Sequence, residues 1–534
     1  MIWLLPLALN LLLQLPYAMH GRFHELDLLV VSGELVVLLT LLAARPRWGP
    51  RLFVAGWSGL MVYEIVRLVG NRLTGGDPLF FDLFFLLRHL GVLLMDLGAV
   101  YWALVPVAIL VSLGASAAII RRLVKPLQDA LRGRSQRWWL VVWAIALLGT
   151  PLPTWLSPMR WSSVSFIENA AASWVAWRRT RATIQGEAYA HFEDIELTER
   201  PDVRLFIIES YGRLLADHPQ SQELWAGWVT DLERALAEHE WKMVSGYSTA
   251  PVSGGRSWMA DASFFLGQTI QHEADFRHIT QNIDRAPSLP RFLDQQGYHT
   301  VLLAPKDRAR PGVQLENHFN FQTTLFFEEM KYRGPAIGWG WIPDQYSLGR
   351  AHQDTLQHIE EPVFFSFHMV SSHAPWNEVP DLLSDWRAFD LYDGSDAPNE
   401  YNSNFAVTVQ MRRFQRKPNG QIRRPTMGAL DGFELAQYAE AVGYDLDVIE
   451  DHLLRTDPGG VVIIMGDHQP PFMVKDAQTF DVPIHILTRN PTFLKTFEEA
   501  GFVEGAIPAP GLAPVRHRDM FPLIVSALEN CCTR

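Results

Sequence analysis

Four short polar groupings in this 534-residue chain carry side chains that can do chemistry: Glu209-Ser210, Ser253-Gly254-Gly255-Arg256-Ser257, Ser371-Ser372-His373-Ala374-Pro375-Trp376 and Gly466-Asp467-His468. Taken singly, each has an ordinary structural reading: a Glu after a strand as a helix-terminal charge, an Asp-His pair as a turn, a Ser at a helix start as a cap. Together, Glu, Asp and His supply oxygen and nitrogen donors for a divalent ion, and with Cys only at Cys531 and Cys532 the donor set suits Zn²⁺ or Mn²⁺. Ser257 follows two glycines and opens an apparent helix, Trp258–Leu266, whose first amides and dipole favour a phosphate or sulfate. Metal coordination there would lower the hydroxyl pKa enough to make a nucleophile, a role compatible with capping.

What must position these groups is a set of short apolar runs: Val203–Ile208, Thr300–Leu303, Val363–Phe367, Val461–Met465 and Val482–Leu487. Near-continuous β-rich runs separated by helical stretches predict an α/β domain, an α/β/α sandwich around a mostly parallel sheet buried on both faces. Sites in such sheets lie beyond the carboxyl ends of the strands. Glu209, His373 and Asp467-His468 all follow such ends.

Composition makes the chain a hybrid. It is 48% hydrophobic with a mean hydropathy of +0.01, too apolar for an ordinary soluble enzyme and too charged for an all-membrane transporter. Residues 1–150 carry 13 Lys/Arg against 8 Asp/Glu, and the remainder 33 against 50, so the acidic second part argues against a nucleic-acid partner. Five stretches read as membrane spans: Met1–Tyr17, Asp27–Ala44, Leu52–Val69, Leu97–Ile120 and Trp138–Trp155. Leu79–Asp96 holds too many charges to face lipid and reads as interfacial or re-entrant. The basic loops with Arg45, Arg47 and Arg51 and with Arg121 to Arg137 then lie on the cytoplasmic side, and everything after Trp155 lies outside. The predicted domains are an all-α five-helix transmembrane bundle at 1–156, a juxtamembrane linker helix at 157–200 whose Trp and Arg residues suit a headgroup region, and an extracytoplasmic α/β domain at 201–534. Glu34 and Glu64 within the spans read as satisfied packing elements. Tyr332–Tyr346 reads equally as a substrate groove or loop packing, and the basic stretch from Arg412 to Arg424 as a solvated loop.

The ordered set Phe206-Ile207-Ile208-Glu209-Ser210, Gly254-Gly255-Arg256-Ser257, Ser371-Ser372-His373-Ala374-Pro375-Trp376 and Gly466-Asp467-His468-Gln469-Pro470 resembles the sulfatase-fold branch of the alkaline-phosphatase superfamily. More closely it resembles the membrane-anchored lipoteichoic acid synthases, phosphoglycerol transferases and phosphoethanolamine transferases, from about Val203 onward. The resemblance implies that Glu209, Ser257, Asp467 and His468 ligate a divalent metal, Mn²⁺ or Zn²⁺. It implies that His373 contacts the transferred group with Trp376 beside it, and that Arg308 or Arg310 holds the non-bridging oxygens. Ser257 replaces the usual Thr nucleophile. The sulfatase pattern of Pro and then Arg after the modified residue is missing, since Trp258, Met259 and Ala260 follow.

The implied activity is a metal-dependent transferase that moves a headgroup from a membrane phospholipid, through phospho-Ser257, to an envelope glycan or lipid. Ser257 and His373 are the catalytic pair, and the implied location is the bacterial inner membrane with the catalytic domain in the periplasm. Two alternatives remain open: a sulfatase-like phosphodiesterase or sulfuric-ester hydrolase with water as acceptor, and a non-catalytic lipid-sensing regulator.

Overall fold

In the computed structural model the described residues are 5–18, 30–45, 47–74, a few between 114 and 131, 159–182, and most of 192–390, 432–470 and 479–533. The chain divides near Arg178 into two compact units.

The first unit contains helices α1 (Leu5–Ala18), α2 (Gly33–Ala44) and α3 (Gly49–Thr74). Among the described residues no helix is long and apolar enough to cross a membrane. The expected span Asp27–Ala44 is shortened because Ser32 caps α2, its hydroxyl accepting from the Leu35 amide at 3.2 Å. Val31–Ser32 lies instead in an extended pair with Met159–Arg160. At ~1.5 Å per residue the 14 residues of α1 and 12 of α2 fall short of a ~30 Å hydrocarbon core. The 26-residue α3 carries Arg51, Glu64, Arg67 and Arg72. Glu64 is buried and satisfied, by Arg160 at 3.0 Å and the Ser162 hydroxyl at 2.6 Å, a packing role. Leu79–Asp96, Trp138–Trp155 and nearly all of Leu97–Ile120 lie outside the described residues, so the five-span bundle is not part of what the structure describes. Helix α4 (Ser162–Ala182) follows.

The second unit is built on a mixed nine-stranded sheet. In chain order its strands are β1 (Val203–Ile208), β2 (Lys242–Thr249), β3 (His299–Leu303), β4 (Thr323–Leu325), β5 (Val363–His368), β6 (Val461–Gly466), β7 (Asp481–Thr488), β8 (Val503–Glu504) and β9 (Val515–Arg516). The spatial order is β8-β2-β7-β6-β1-β5-β3-β4, with β9 beside β2. Strand β1 is central and parallel to both β5 and β6. The expected parallel core is therefore present, but β7, one of the five apolar runs, is antiparallel to β6 and to β2. Because β2 is reversed twice, it again runs with β1, and its carboxyl end reaches the same sheet edge.

The pleat sorts β1 onto two cores. Val203, Leu205 and Ile207 pack with α6 (Ser257–Leu266), α9 (Pro491–Glu499) and α10 (His517–Cys532), whereas Phe206 and Ile208 pack with α5 (Gln222–Ala237), α7 (Asp344–Asp354) and α8 (Gly432–Thr456). Both faces are thus covered, giving the three-layer sandwich, and the burial of every β1 residue explains a run that is apolar except for Arg204, which pairs with Asp202 at 3.1 Å. Strand β2 had no such run. Its polar residues are matched inside: the Ser245 hydroxyl lies 2.8 Å from His485 Nδ1, and Ser248 lies 2.8 Å from His517 Nδ1. Cys531 and Cys532 are bonded to each other.

Gly466 ends β6 where a Cβ would run into the backbone carbonyl of Tyr211. Gly466→Ala is therefore expected to destabilise the second unit by about 1–3 kcal/mol, as overpacking does. Urea unfolding of the purified chain measures it; an unchanged midpoint would mean that this close approach is not a constraint.

Candidate metal and nucleophile site

Strands β1 and β6 lie side by side and end together, which brings their next residues into one place. Glu209 follows β1 and Asp467-His468 follow β6; all three are buried, and a ligand atom from each lies within 4.8 Å of the others. Ser210 is held in the left-handed region at φ 59°, so that its amide donates to Asp467 Oδ1 at 2.7 Å. The same oxygen accepts from the His468 amide at 2.6 Å.

Ser257 arrives from the carboxyl end of β2. The turn before it takes Gly254, Gly255 and Arg256 through positive φ (71°, 140° and 67°), which the two glycines tolerate and Arg256 adopts against its usual preference, and sets the start of α6 beside Glu209. Ser257 is the first residue of α6, and the capping position falls to Arg256, whose side chain makes no capping bond. The Ser257 hydroxyl instead donates to Glu209 Oε2 at 2.9 Å and sits 3.2 Å from His468 Nε2. Capping is thus not what this hydroxyl does.

The tautomer of His468 follows from its other nitrogen. Nδ1 lies 2.9 Å from the carbonyl of Gln469, which can only accept, so Nδ1 carries the proton and Nε2 presents a lone pair. That lone pair faces Glu209 and Asp467 oxygens, each 3.5 Å away. Ser257 has one hydroxyl proton, given to Glu209, and nothing in the cluster donates to Nε2. Two carboxylates and a bare imidazole nitrogen buried together form a site that fits a divalent cation, with a hydroxyl as a further oxygen donor. Burial pushes the Asp467 carboxyl above its usual range, and the adjacent Glu209 charge pushes it further, as expected where two acids share a pocket without a cation. His517 braces the arrangement from behind, its Nε2 lying 3.1 Å from the Asp467 carbonyl.

The cationic side chain that the structure brings to this cluster is Lys306, past the end of β3, with Nζ 3.7 Å from Glu209 Oε2. Burial opposes its charge, but Glu209, Asp261 and Asp307 outweigh that and raise its pKa. Of the two expected arginines, Arg308 is stacked on aromatic rings, its Cζ 4.2 Å from the Trp341 centroid and 5.3 Å from that of Phe327, and Arg310 lies outside the described residues. Among the described residues of this basic run, Lys306 is the one placed at the cluster.

His373 belongs to the same edge. Its ring stacks on Trp339 at 4.0 Å between centroids, and its Nδ1–H donates to the Ala374 carbonyl, which leaves Nε2 free to exchange a proton. Burial lowers its pKa, partly offset by Glu209, so the imidazole is neutral at rest. Trp339 comes from the aromatic segment Tyr332–Tyr346 and is a site neighbour that its sequence context did not single out. Trp376, expected to touch substrate, is 3% exposed; its indole donates to the Ser372 carbonyl at 2.6 Å and its ring packs 5.1 Å from Tyr438. Its surface is covered by the protein, and its role here is to hold the loop that carries His373.

The donor set predicts tight binding of one Mn²⁺ or Zn²⁺ per chain by calorimetric titration of metal-stripped protein. Asp467→Asn should weaken binding by about 10-fold or more, since it removes a charged ligand. Equal affinity in the two proteins would overturn the assignment.

No protein-family model and no curated protein matches the chain. Among solved structures it is similar to the lipoteichoic acid synthase LtaP from Listeria monocytogenes (15% identity, 64% of this chain and 78% of that one, TM-score 0.38). It is also similar to the phosphoglycerol transferase GacH from Streptococcus pyogenes, solved with sn-glycerol-1-phosphate (12% identity, 66% and 82%, TM-score 0.38). A third similar structure is a protein in the alkaline phosphatase superfamily from Vibrio parahaemolyticus (16% identity, 62% and 68%, TM-score 0.34).

Proposed function

We propose that the chain is a metal-dependent phosphotransferase of the alkaline-phosphatase kind that takes a headgroup from a membrane phospholipid and passes it to an envelope glycan or lipid. The observation that carries the reading is the Ser257 hydroxyl, set at a helix start between Glu209 Oε2 at 2.9 Å and His468 Nε2 at 3.2 Å. A divalent ion held by Glu209, Asp467, His468 and Ser257 would supply the positive charge that makes this hydroxyl acidic and that offsets charge on the phosphoryl group.

Ser257 Oγ, its proton lost to solvent, attacks phosphorus; the bond from phosphorus to the diacylglycerol oxygen breaks, and phospho-Ser257 remains. His373 Nε2, bare in the resting imidazole, first takes up a proton from solvent and then delivers it to the leaving oxygen. In the second half the acceptor hydroxyl gives its proton to His373 and attacks phosphorus, releasing Ser257. Lys306 pairs with non-bridging oxygens, the part first sought in Arg308 or Arg310. Trp339 fixes the plane of the His373 ring.

The membrane setting, with the α/β unit on the periplasmic side of a bacterial inner membrane, belongs to the same proposal. Supporting it, α4 exposes Val164, Phe166, Ile167, Trp174 and Val175, with Arg178 also exposed, the mixture that suits a headgroup layer.

Diacylglycerol release from phosphatidylglycerol and phosphatidylethanolamine vesicles by metal-loaded full-length protein tests the reading. Ser257→Ala should lower release by on the order of 10³-fold or more, the loss typical of a removed nucleophile. Headgroup recovered only in free form would make water the acceptor and the protein a phosphodiesterase. No Ser257-dependent release from either lipid would overturn the phospholipid donor.

A further inference from the structure

Helix α8 sends one polar group toward the site that the chemistry above does not use. Leu435, Tyr438, Val442, Leu446 and Ile449 form its buried face at helical spacing, and Tyr438 is 0% exposed. The Tyr438 hydroxyl meets the turn that follows β1: it donates to the Ser210 carbonyl at 2.6 Å and accepts from the Gly212 amide at 3.0 Å. The directions are forced, because a carbonyl only accepts, a backbone N–H only donates and a phenol has one proton. Burial raises the Tyr438 pKa, so that proton stays in place near neutral pH.

Ser210 is where the two carboxylates are set. Its hydroxyl donates to Glu209 Oε1 at 3.1 Å, its amide donates to Asp467 Oδ1 at 2.7 Å, and its backbone is left-handed at φ 59°. A residue other than glycine keeps that conformation only where its surroundings over-determine it. With the amide committed to Asp467, the remaining backbone group is the carbonyl, and Tyr438 holds it. The Tyr438 ring makes a separate contact. Trp376 packs on it at 5.1 Å, the Trp376 indole donates to the Ser372 carbonyl at 2.6 Å, and the Ser372 hydroxyl donates to the Glu209 carbonyl at 2.7 Å. His373 follows directly, its amide donating to the Val370 carbonyl at 3.0 Å. Hydroxyl and ring therefore grip different parts of the site.

We propose that Tyr438 is a positioning residue with two arms: its hydroxyl locks left-handed Ser210 and so aims Glu209 and Asp467 at a shared cation, and its ring seats Trp376 and so places the His373 turn. The catalytic consequence of the second arm rests on the transferase reading; the first arm rests on the cation site alone.

Two substitutions in the full-length chain separate the arms. Tyr438→Phe removes the hydroxyl and keeps the ring. Metal-stripped Phe protein should bind Mn²⁺ about 10-fold more weakly by calorimetric titration and exchange its Gly212 amide faster, while kcat at saturating Mn²⁺ stays close to the parent's. Tyr438→Leu removes the ring as well. It should also exchange its His373 amide faster and lower kcat by about 10- to 100-fold even at saturating Mn²⁺, with KM nearly unchanged, the effect of a misplaced catalytic group.

A tyrosine that only fills the core would cost the Phe variant melting temperature and leave its Mn²⁺ affinity at the parent's value, and that result overturns the first arm. Parental His373 exchange and full kcat in the Leu variant overturn the second. If neither variant folds, exchange in the unsubstituted protein decides, since a fast Gly212 amide overturns the first arm and a fast His373 amide the second. A parent that binds Mn²⁺ without Ser257-dependent activity sinks the transferase reading alone, because titration and exchange still judge both arms. A parent that binds no Mn²⁺ sinks the cation site and the first arm with it.

Discussion

Two carboxylates and an imidazole lone pair are buried within a few ångströms of one another, with one hydroxyl proton and one nearby ammonium to balance them. Such an arrangement is unfavourable on its own, because burial removes the water that would screen like charges. The surrounding protein must hold it together by means other than the groups' affinity for one another. Nearly every unusual feature of the second unit contributes: the left-handed Ser210, the positive-φ turn before Ser257, the close approach at Gly466, and the imidazole of His517 behind Asp467. The rigidity comes from backbone and second-layer contacts, which is what a preorganised cation site requires.

The parallel pairing of β1 with β5 and β6 is what makes the convergence geometrically cheap. Adjacent parallel strands end at the same edge, so residues far apart in sequence fall side by side without long loops. The reversed β7 returns β2 to the same direction, and Ser257 reaches the edge from a fourth strand. Buried polar partners such as Ser245 with His485 allow β2 to lie in the sheet interior despite its composition.

These same features explain what was legible in the sequence. The runs at β1, β5, β6 and β7 are apolar because both faces of those strands are covered, so their ends, and the groups Glu209, His373 and Asp467-His468, stood out. Strand β2 did not, since its serines are matched by histidines more than 200 positions away. Strand direction was also hidden: a doubly buried antiparallel strand such as β7 has the same composition as a parallel one. The cation nearest the cluster was hidden for a related reason. Composition marks a basic run near β3, but whether Lys306 or Arg308 turns inward depends on Trp341 and Phe327, which capture the guanidinium. Trp376 likewise sits in the expected loop with its ring turned into the core. In the first unit, hydropathy windows joined residues that Ser32 divides between an extended pair and a helix.

The distances in sequence between the site's parts also order events in time. Glu209 and Ser257 belong to the first half of the chain, whereas Asp467 and His468 come with β6, some 250 positions after β1, and bond to it only when that long-range pairing closes. A chain that has been made only through β5 holds Glu209 and Ser257 but neither Asp467 nor His468. The set of ligand atoms is therefore complete only once β6 has paired with β1, so closing that long-range pairing and assembling the cation site are one event.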